Sequence, residues 1–149
     1  MAATHRRAAL RAGLALGVGC LAPPARACEY FSSTLRVLHP WARATAEDAT
    51  FALLCMSFDE VSVTDRLIGV ETPVAAGAEL AGLGAPPGLA LLIPAGQDTV
   101  LSETGLHIRL VGLKHPLEAA RSYPLRLIFE TGGVVGASLN VDYARLRFS

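Results

Sequence analysis

The sequence lacks the residue patterns on which most enzyme active sites depend. No serine stands in a G-x-S-x-G context, and neither an H-E-x-x-H motif nor a glycine-rich phosphate loop occurs. The acidic residues are scattered singly, so no paired-carboxylate site is indicated. Sulfur and imidazole are scarce too, with 3 Cys, 2 Met and 4 His among 149 residues. We therefore predict that the protein is not an enzyme.

The chain also has no apolar run long enough to span a bilayer. The run from Ala12 to Ala22 has 11 residues, whereas a spanning helix needs about 20. A basic start without acids precedes it, and Ala25-Arg26-Ala27 follows with small residues where a signal peptidase reads. We predict a cleaved export signal over residues 1–27 and a periplasmic domain over residues 28–149. Lipid anchoring at Cys20 stays an alternative, although Gly17-Val18-Gly19 lacks the usual large aliphatic residue.

The predicted mature domain has no excess of positive charge. All 13 acidic residues follow residue 27, but four of the 13 basic residues precede it, so the net charge is 9 minus 13, or −4. Nucleic acids and acidic membrane surfaces attract basic proteins. We expect neither as a partner.

Only two cysteines, Cys28 and Cys55, would remain in the mature domain, because Cys20 would be removed with the signal. Three interpretations of Cys28 and Cys55 stay open. They could form a disulfide, which would contribute about 3.5 kcal/mol in the chain-entropy model. Alternatively, the thiol and α-amino group of Cys28 could bind a metal ion, which the disulfide would exclude. Cys55 could also be a buried small hydrophobe.

No window of the sequence shows a helical period. Short apolar runs instead recur about every 10 residues between clusters of Gly, Pro, Asp and Ser, a pattern typical of an antiparallel sandwich. The predicted strands cover residues 34–38, 50–58, 66–71, 89–93, 99–101, 106–113, 125–130 and 134–141. The small-residue stretch 75–88 is predicted to be a loop, and Pro40 to end the first strand.

The sharpest local feature is the alternating segment from Leu106 to Leu110. Side chains two apart on a strand share a face, so His107 and Arg109 should lie together, away from the apolar face. Two interpretations of this pair are possible. His107 could be a metal ligand, or both could be surface residues, with Arg109 paired to a nearby acid such as Glu103.

The other histidines of the mature domain have structural interpretations. His39 precedes Pro40 and Trp41, which predicts a structural corner with the tryptophan in the core. His115 precedes Pro116 in a turn and is predicted to be an exposed loop residue.

Several separated motifs, in the right order, resemble the periplasmic copper chaperones called PCuAC. They are LHPWARAT at 38–45, DRLIGV at 65–70, TPVA at 72–75 with Glu79-Leu80, IPAG at 93–96 and GLHIRLVGLKHPL at 105–117. The resemblance implies an all-β, cupredoxin-like or immunoglobulin-like antiparallel β-sandwich. It also implies Cu(I) as cargo and a copper-receiving periplasmic protein or oxidase assembly factor as partner.

The resemblance further implies a Cu(I) site of two His and two Met, the last two as H-x-M. This sequence keeps only the second His, His107. Arg109 stands at the second Met position, Ala81 stands at the first His position, and the Met-rich hairpin is missing. A guanidinium has no lone pair to donate, and it would repel a bound cation by about 4 kcal/mol at 4 Å.

We therefore predict a copper chaperone-like protein with a degenerate site, with His107 and Cys28 as the remaining candidate ligands. The alternative is a metal-free interaction module on the same fold.

Overall fold

The computed structural model describes residues 28–145, so the predicted export signal lies outside the described residues. Regular structure in this range consists of strands. They are β1 Glu29–Phe31, β2 Arg36–Ala44, β3 Phe51–Asp59, β4 Asp65–Glu71, β5 Ala75–Ala81, β6 Leu91–Ile93, β7 Thr99–Val100, β8 His107–Leu113, β9 Ser122–Phe129 and β10 Gly133–Arg145. Over these residues no helix is long and apolar enough to cross a membrane. The prediction of an all-β domain is confirmed.

The strands follow the order β5-β8-β3-β2-β10-β9-β4-β6, with β1 paired to β2 and β7 paired to β3. Neighbours are antiparallel except β2 and β10, which run parallel. That pair departs from the fully antiparallel arrangement predicted from the sequence. It brings β10, far along the chain, beside a strand near the beginning of the domain.

Alternation along the strands builds the core. On β3 the even-numbered residues from Ala52 to Phe58 are buried, and on β8 Ile108 and Leu110 are fully buried. The rings of Phe58 and Phe129 meet edge to face, with centroids 6.0 Å apart. Such pairs contribute about 0.5–1.5 kcal/mol beyond their buried area.

Two sequence predictions about strands are wrong. Residues 75–81 form strand β5 instead of a loop, because their backbone pairs with β8 and Leu80 reaches the core. Pro40 does not end β2, which continues to Ala44. The chain accommodates the proline with a register irregularity between Leu38 and Trp41, where His39 adopts a φ of 45°. Bulges are places where a sheet tolerates proline.

Asp65 joins three segments at one end of the sheet. Its buried carboxylate accepts hydrogen bonds from the Thr34 hydroxyl and from the backbone N–H groups of Arg66, Thr131 and Gly132, each at 2.8 Å. A Cβ at Gly132 would lie 2.8 Å from the Thr34 hydroxyl oxygen and 3.0 Å from Asp65, so only glycine fits.

The environment of Asp65 shifts its titration. Burial raises the pKa of Asp65, but the hydrogen bonds more than offset that effect, so the pKa lies below its ordinary value. A carboxylate that receives several backbone N–H bonds is held in its charged form.

Replacing Asp65 with alanine should therefore destabilise the domain by about 3 kcal/mol or more, because the buried Thr34 hydroxyl and three part-buried backbone N–H groups lose their acceptor. Urea unfolding measures the change, with the exposed Asp98→Ala as control. Because folding lowers the pKa of Asp65, its ionised carboxylate contributes its full stabilisation above the unfolded-state pKa of about 3.9. That stabilisation is lost as pH falls through the folded-state pKa. An equal loss of stability in both variants at pH 7 would contradict this role.

Candidate metal site

Strand β8 places His107 and Arg109 on the outer face of the sheet. Both are half-buried, whereas Ile108 and Leu110 between and beside them are fully buried. The predicted sharing of one face is confirmed.

Strand β5 brings Ala81, which the resemblance to PCuAC assigns to the first His position, to the same place. Ala81 is the direct cross-strand partner of His107, and Glu79 is the partner of Arg109. Directly opposite residues have Cβ atoms about 4.5–5.5 Å apart. A histidine at residue 81 would therefore share a cation with His107, but the alanine methyl group offers no lone pair.

His107 is held by its own turn. Its Nδ1 lies 3.1 Å from the carbonyl oxygen of Gly105. Because a carbonyl only accepts, this bond puts the proton on Nδ1 and leaves the lone pair on Nε2. Gly82 packs against this turn with a φ of +103°, and a Cβ there would come 2.1 Å from the Gly105 oxygen and 3.2 Å from Nδ1 of His107. Glycine at residue 82 is thus required beside the imidazole.

Arg109 does not form the ion pair with Glu103 that the sequence suggested. Glu103 instead accepts from Arg43, whose Nε lies 2.9 Å from both carboxylate oxygens. The guanidinium of Arg109 lies over the ring of Phe51, 4.1 Å from its centroid. Its buried Nε has no hydrogen-bond partner within the described part of the chain. Arg109 therefore places a stacked guanidinium two residues from His107, with the exposed Glu79 as its cross-strand neighbour.

No methionine approaches this face in the described chain. The segment after Ala81 runs through a loop to β6, and Leu83 on that loop is 87% exposed. The loop is fastened by the bond from the N–H of Leu80 to the carbonyl of Gly88, at 2.8 Å. Met56 is buried in the core on the opposite face of β3. Within residues 28–145, three or more His, Cys, Asp or Glu side chains do not gather into a group that could hold a metal.

The two cysteines are free thiols in the structure, Cys28 half-buried and Cys55 buried. Strand β2 runs between them, because β1 and β10 pair with one of its edges and β3 with the other. Two inter-strand spacings are about 9.5 Å, whereas disulfide-bonded Cα atoms lie within about 7 Å. The Cys28–Cys55 disulfide considered from the sequence is therefore not a feature of this structure.

Cys55 lies beneath polar side chains and not in the central core. It points to the same face as its cross-strand partner Trp41, close to the Arg43–Glu103 pair. Burial raises the pKa of the Cys55 thiol to about 11; Glu103 adds to this effect and Arg43 opposes it. The tryptophan is half-buried on this face, 5.8 Å from the Arg43 guanidinium. The expectation that Trp41 fills the core is therefore wrong.

The remaining histidines lie apart from His107 on other segments. His115 is exposed in its turn, as predicted, with Nδ1 2.8 Å from the carbonyl oxygen of Pro116. His39 is exposed on the irregular part of β2, and its backbone N–H donates to the carbonyl of Cys28 at 2.7 Å. Strand β1, which sets this contact, was not predicted, because three residues are too few for an alternating pattern.

Comparison with known proteins identifies the family. The family model described as "Putative lipoprotein LpqE-like" matches residues 35–141. The chain belongs to the LpqE-like family. No curated protein matches its sequence.

Solved structures similar to this LpqE-like chain are PCuAC domains. The copper-bound PCuAC domain from PmoF2 has a TM-score of 0.71 and 26% identity, over 78% of this chain and 98% of that domain. The apo PCuAC domain from PmoF1 has a TM-score of 0.70 and 26% identity, over 78% and 99%. Cu(I)-DR1885 from Deinococcus radiodurans, at 22% identity and a TM-score of 0.59 over 74% and 80%, shows the shared fold alone. The resemblance to PCuAC and its cupredoxin-like β-sandwich are confirmed.

The burial of Cys55 predicts unequal thiol reactivity. In the native protein at pH 8, Ellman's reagent should modify Cys28 within minutes and Cys55 only after unfolding, because a buried thiol with a raised pKa supplies little thiolate. Cys28→Ser should remove the fast phase, and Cys55→Ser should leave it unchanged. A fast phase that disappears in Cys55→Ser would contradict the burial of Cys55.

Proposed function

We propose that this LpqE-like protein is an exported copper-handling protein of the PCuAC type, with a degenerate Cu(I) site at the usual position. Its cargo is Cu(I), and its partner is a copper-receiving periplasmic protein, such as an oxidase assembly factor. The observation that carries the proposal is the β5–β8 ladder. It keeps the family's framework and puts Ala81 opposite His107.

The charge of Arg109 explains why copper retention at His107 should be weak. Residues two apart on a strand are about 7 Å apart, and two unit charges at that distance repel by roughly 2.4 kcal/mol at an effective dielectric near 20. The guanidinium stacks on Phe51, so moving it away from an ion at His107 would cost the free energy of that contact. A single imidazole without thioether neighbours also offers too few soft donors to select Cu(I).

Restoring the lost ligands should restore copper retention. The double variant Ala81→His with Arg109→Met should bind Cu(I) at least about a hundredfold more tightly than the wild type at this position, since it adds two donors and removes a repelling cation. Competition with a chromophoric Cu(I) chelator measures the affinity.

The matched control for this test is Ala76→His with Arg126→Met, the same changes at exposed positions on β5 and β9. Equal affinities for the two double variants would contradict the assignment of Ala81 and Arg109 to the ligand positions.

One observation favours a second candidate, a metal-free interaction module. Arg109 over Phe51 and Arg43 over Trp41 place two arginine–aromatic pairs on one outer face. Arginine and aromatic residues are enriched at the centres of protein interfaces.

The two candidates differ in a deletion strain. On the metal-free alternative, a Cys28→Ser/His107→Ala variant restores oxidase activity under copper limitation and Trp41→Ala does not. On the copper-handling proposal the first variant fails to restore it, because both candidate ligands are gone. Full restoration of oxidase activity by the Cys28→Ser/His107→Ala variant would contradict the copper-handling proposal.

A further inference from the structure

A cleft of about 390 Å³ is lined by His39, Trp41, Asn140, Val141 and Asp142. It opens where β1 and β10 share one edge of β2. It thus combines an exposed imidazole, an exposed carboxylate and the chain's single tryptophan.

Cys28 stands directly beside this cleft. The register of β1 on β2 pairs Glu29 with Leu38, so Cys28 is the next partner along, opposite His39. The 2.7 Å bond from the His39 N–H to the Cys28 carbonyl fixes that pairing. The backbones of Cys28 and His39 are therefore cross-strand neighbours, and the Cys28 sulfur contacts Asn140, which lines the cleft together with His39.

The backbone of His39 is unusual at this position. Its φ of 45° is in the left-handed region, which is uncommon for a residue other than glycine and costs about 1–2 kcal/mol. The irregularity takes the histidine out of the inward alternation of β2 and leaves its imidazole exposed at the cleft. Strain of this kind, once observed, is a pointer to function.

The sulfur of Cys28 is oriented by a second residue. The amide Nδ2 of Asn140 donates to it at 3.4 Å. The hydroxyl of Ser122 donates to Oδ1 of the same amide at 2.7 Å, which fixes the amide with its NH₂ group towards the sulfur. The deprotonated form of a cysteine is the form that binds metal.

We propose that the Cys28 thiolate and the His39 imidazole bind one Cu(I) ion at this cleft, at a site separate from His107; the inference rests on the proposed copper-handling function. Binding replaces the thiol proton, which leaves to solvent as the S–Cu bond forms, and copper stays Cu(I) throughout. Soft thiolate with imidazole suits this ion. Asp142 supplies nearby negative charge, and the open coordination positions allow a receiving thiol to take the metal.

Trp41 makes the site observable, because the only tryptophan lines the cleft. Protein purified from the exported fraction of cells expressing the full chain is titrated with Cu(I) without oxygen, against a chromophoric chelator, while tryptophan fluorescence is recorded. One equivalent should quench the emission.

Variants then assign the ligands. Cys28→Ser should weaken Cu(I) binding by at least about a hundredfold and abolish the quenching. His39→Asn, a substitution that tolerates the positive φ, should weaken Cu(I) binding by at least about tenfold. Asn140→Ala should weaken it by a similar factor, because Asn140 positions the Cys28 sulfur. Cys55→Ser and His115→Asn are the controls and should match the wild type. Circular dichroism verifies folding of each variant.

Copper bound by the wild type but equally well by Cys28→Ser would overturn this inference and leave the copper-handling function intact. A wild type that binds no Cu(I) would overturn both. A mass spectrum showing lipid on Cys28 would overturn the inference alone, because no thiol would be free.

Discussion

The pairing of β8 with β5 on one side and β3 on the other is the constraint on which the usual metal position depends. Burying Ile108 and Leu110 fixes which residues of β8 face outward, because a slip of one residue would exchange the two faces. The same register sets Ala81 opposite His107. The sheet therefore brings together residues 81, 107 and 109, the positions of three ligands that the resemblance implies, and we infer that the side chains there decide whether copper is held.

Arg109 puts a positive charge where the resemblance implies a methionine sulfur. Arg109 stacks on Phe51, and its buried Nε has no hydrogen-bond partner among the described residues, while Glu103 is paired with Arg43. A positive charge beside an imidazole opposes a second cation there. A thiol and an imidazole are available elsewhere, where the backbone of Cys28 pairs with that of His39 and the Cys28 sulfur contacts Asn140. We propose that copper handling has moved along the sheet to that edge.

Much of this architecture was predictable from the sequence. The alternation from Leu106 to Leu110 predicted the correct faces of β8, since a period of two needs only local residues to be recognised. Strand β5 was missed because its Ala and Gly residues have weak strand propensity, and the backbone pairing to β8 decides their state. The parallel pairing of β2 with β10 depends on contacts distant in the chain, which no local pattern reports.

The candidate sites show the same division. Sharing of a face by His107 and Arg109 followed from spacing alone. The contacts of Arg109 did not, because Glu103 pairs with Arg43, which is 60 residues away in the chain and is brought to it only by the fold. Asp65 was also missed, since a single acid carries no signal until Thr131 and Gly132 are brought to it by the β9–β10 turn.

The account's central claim, that the β5–β8 position does not retain copper, is tested most directly by nitrogen NMR of the histidine rings. With one equivalent of Cu(I), the account predicts that the Nε2 resonance of His107 stays where it is in the metal-free protein. A coordination shift of that resonance at one equivalent, with His39 unchanged, would contradict it.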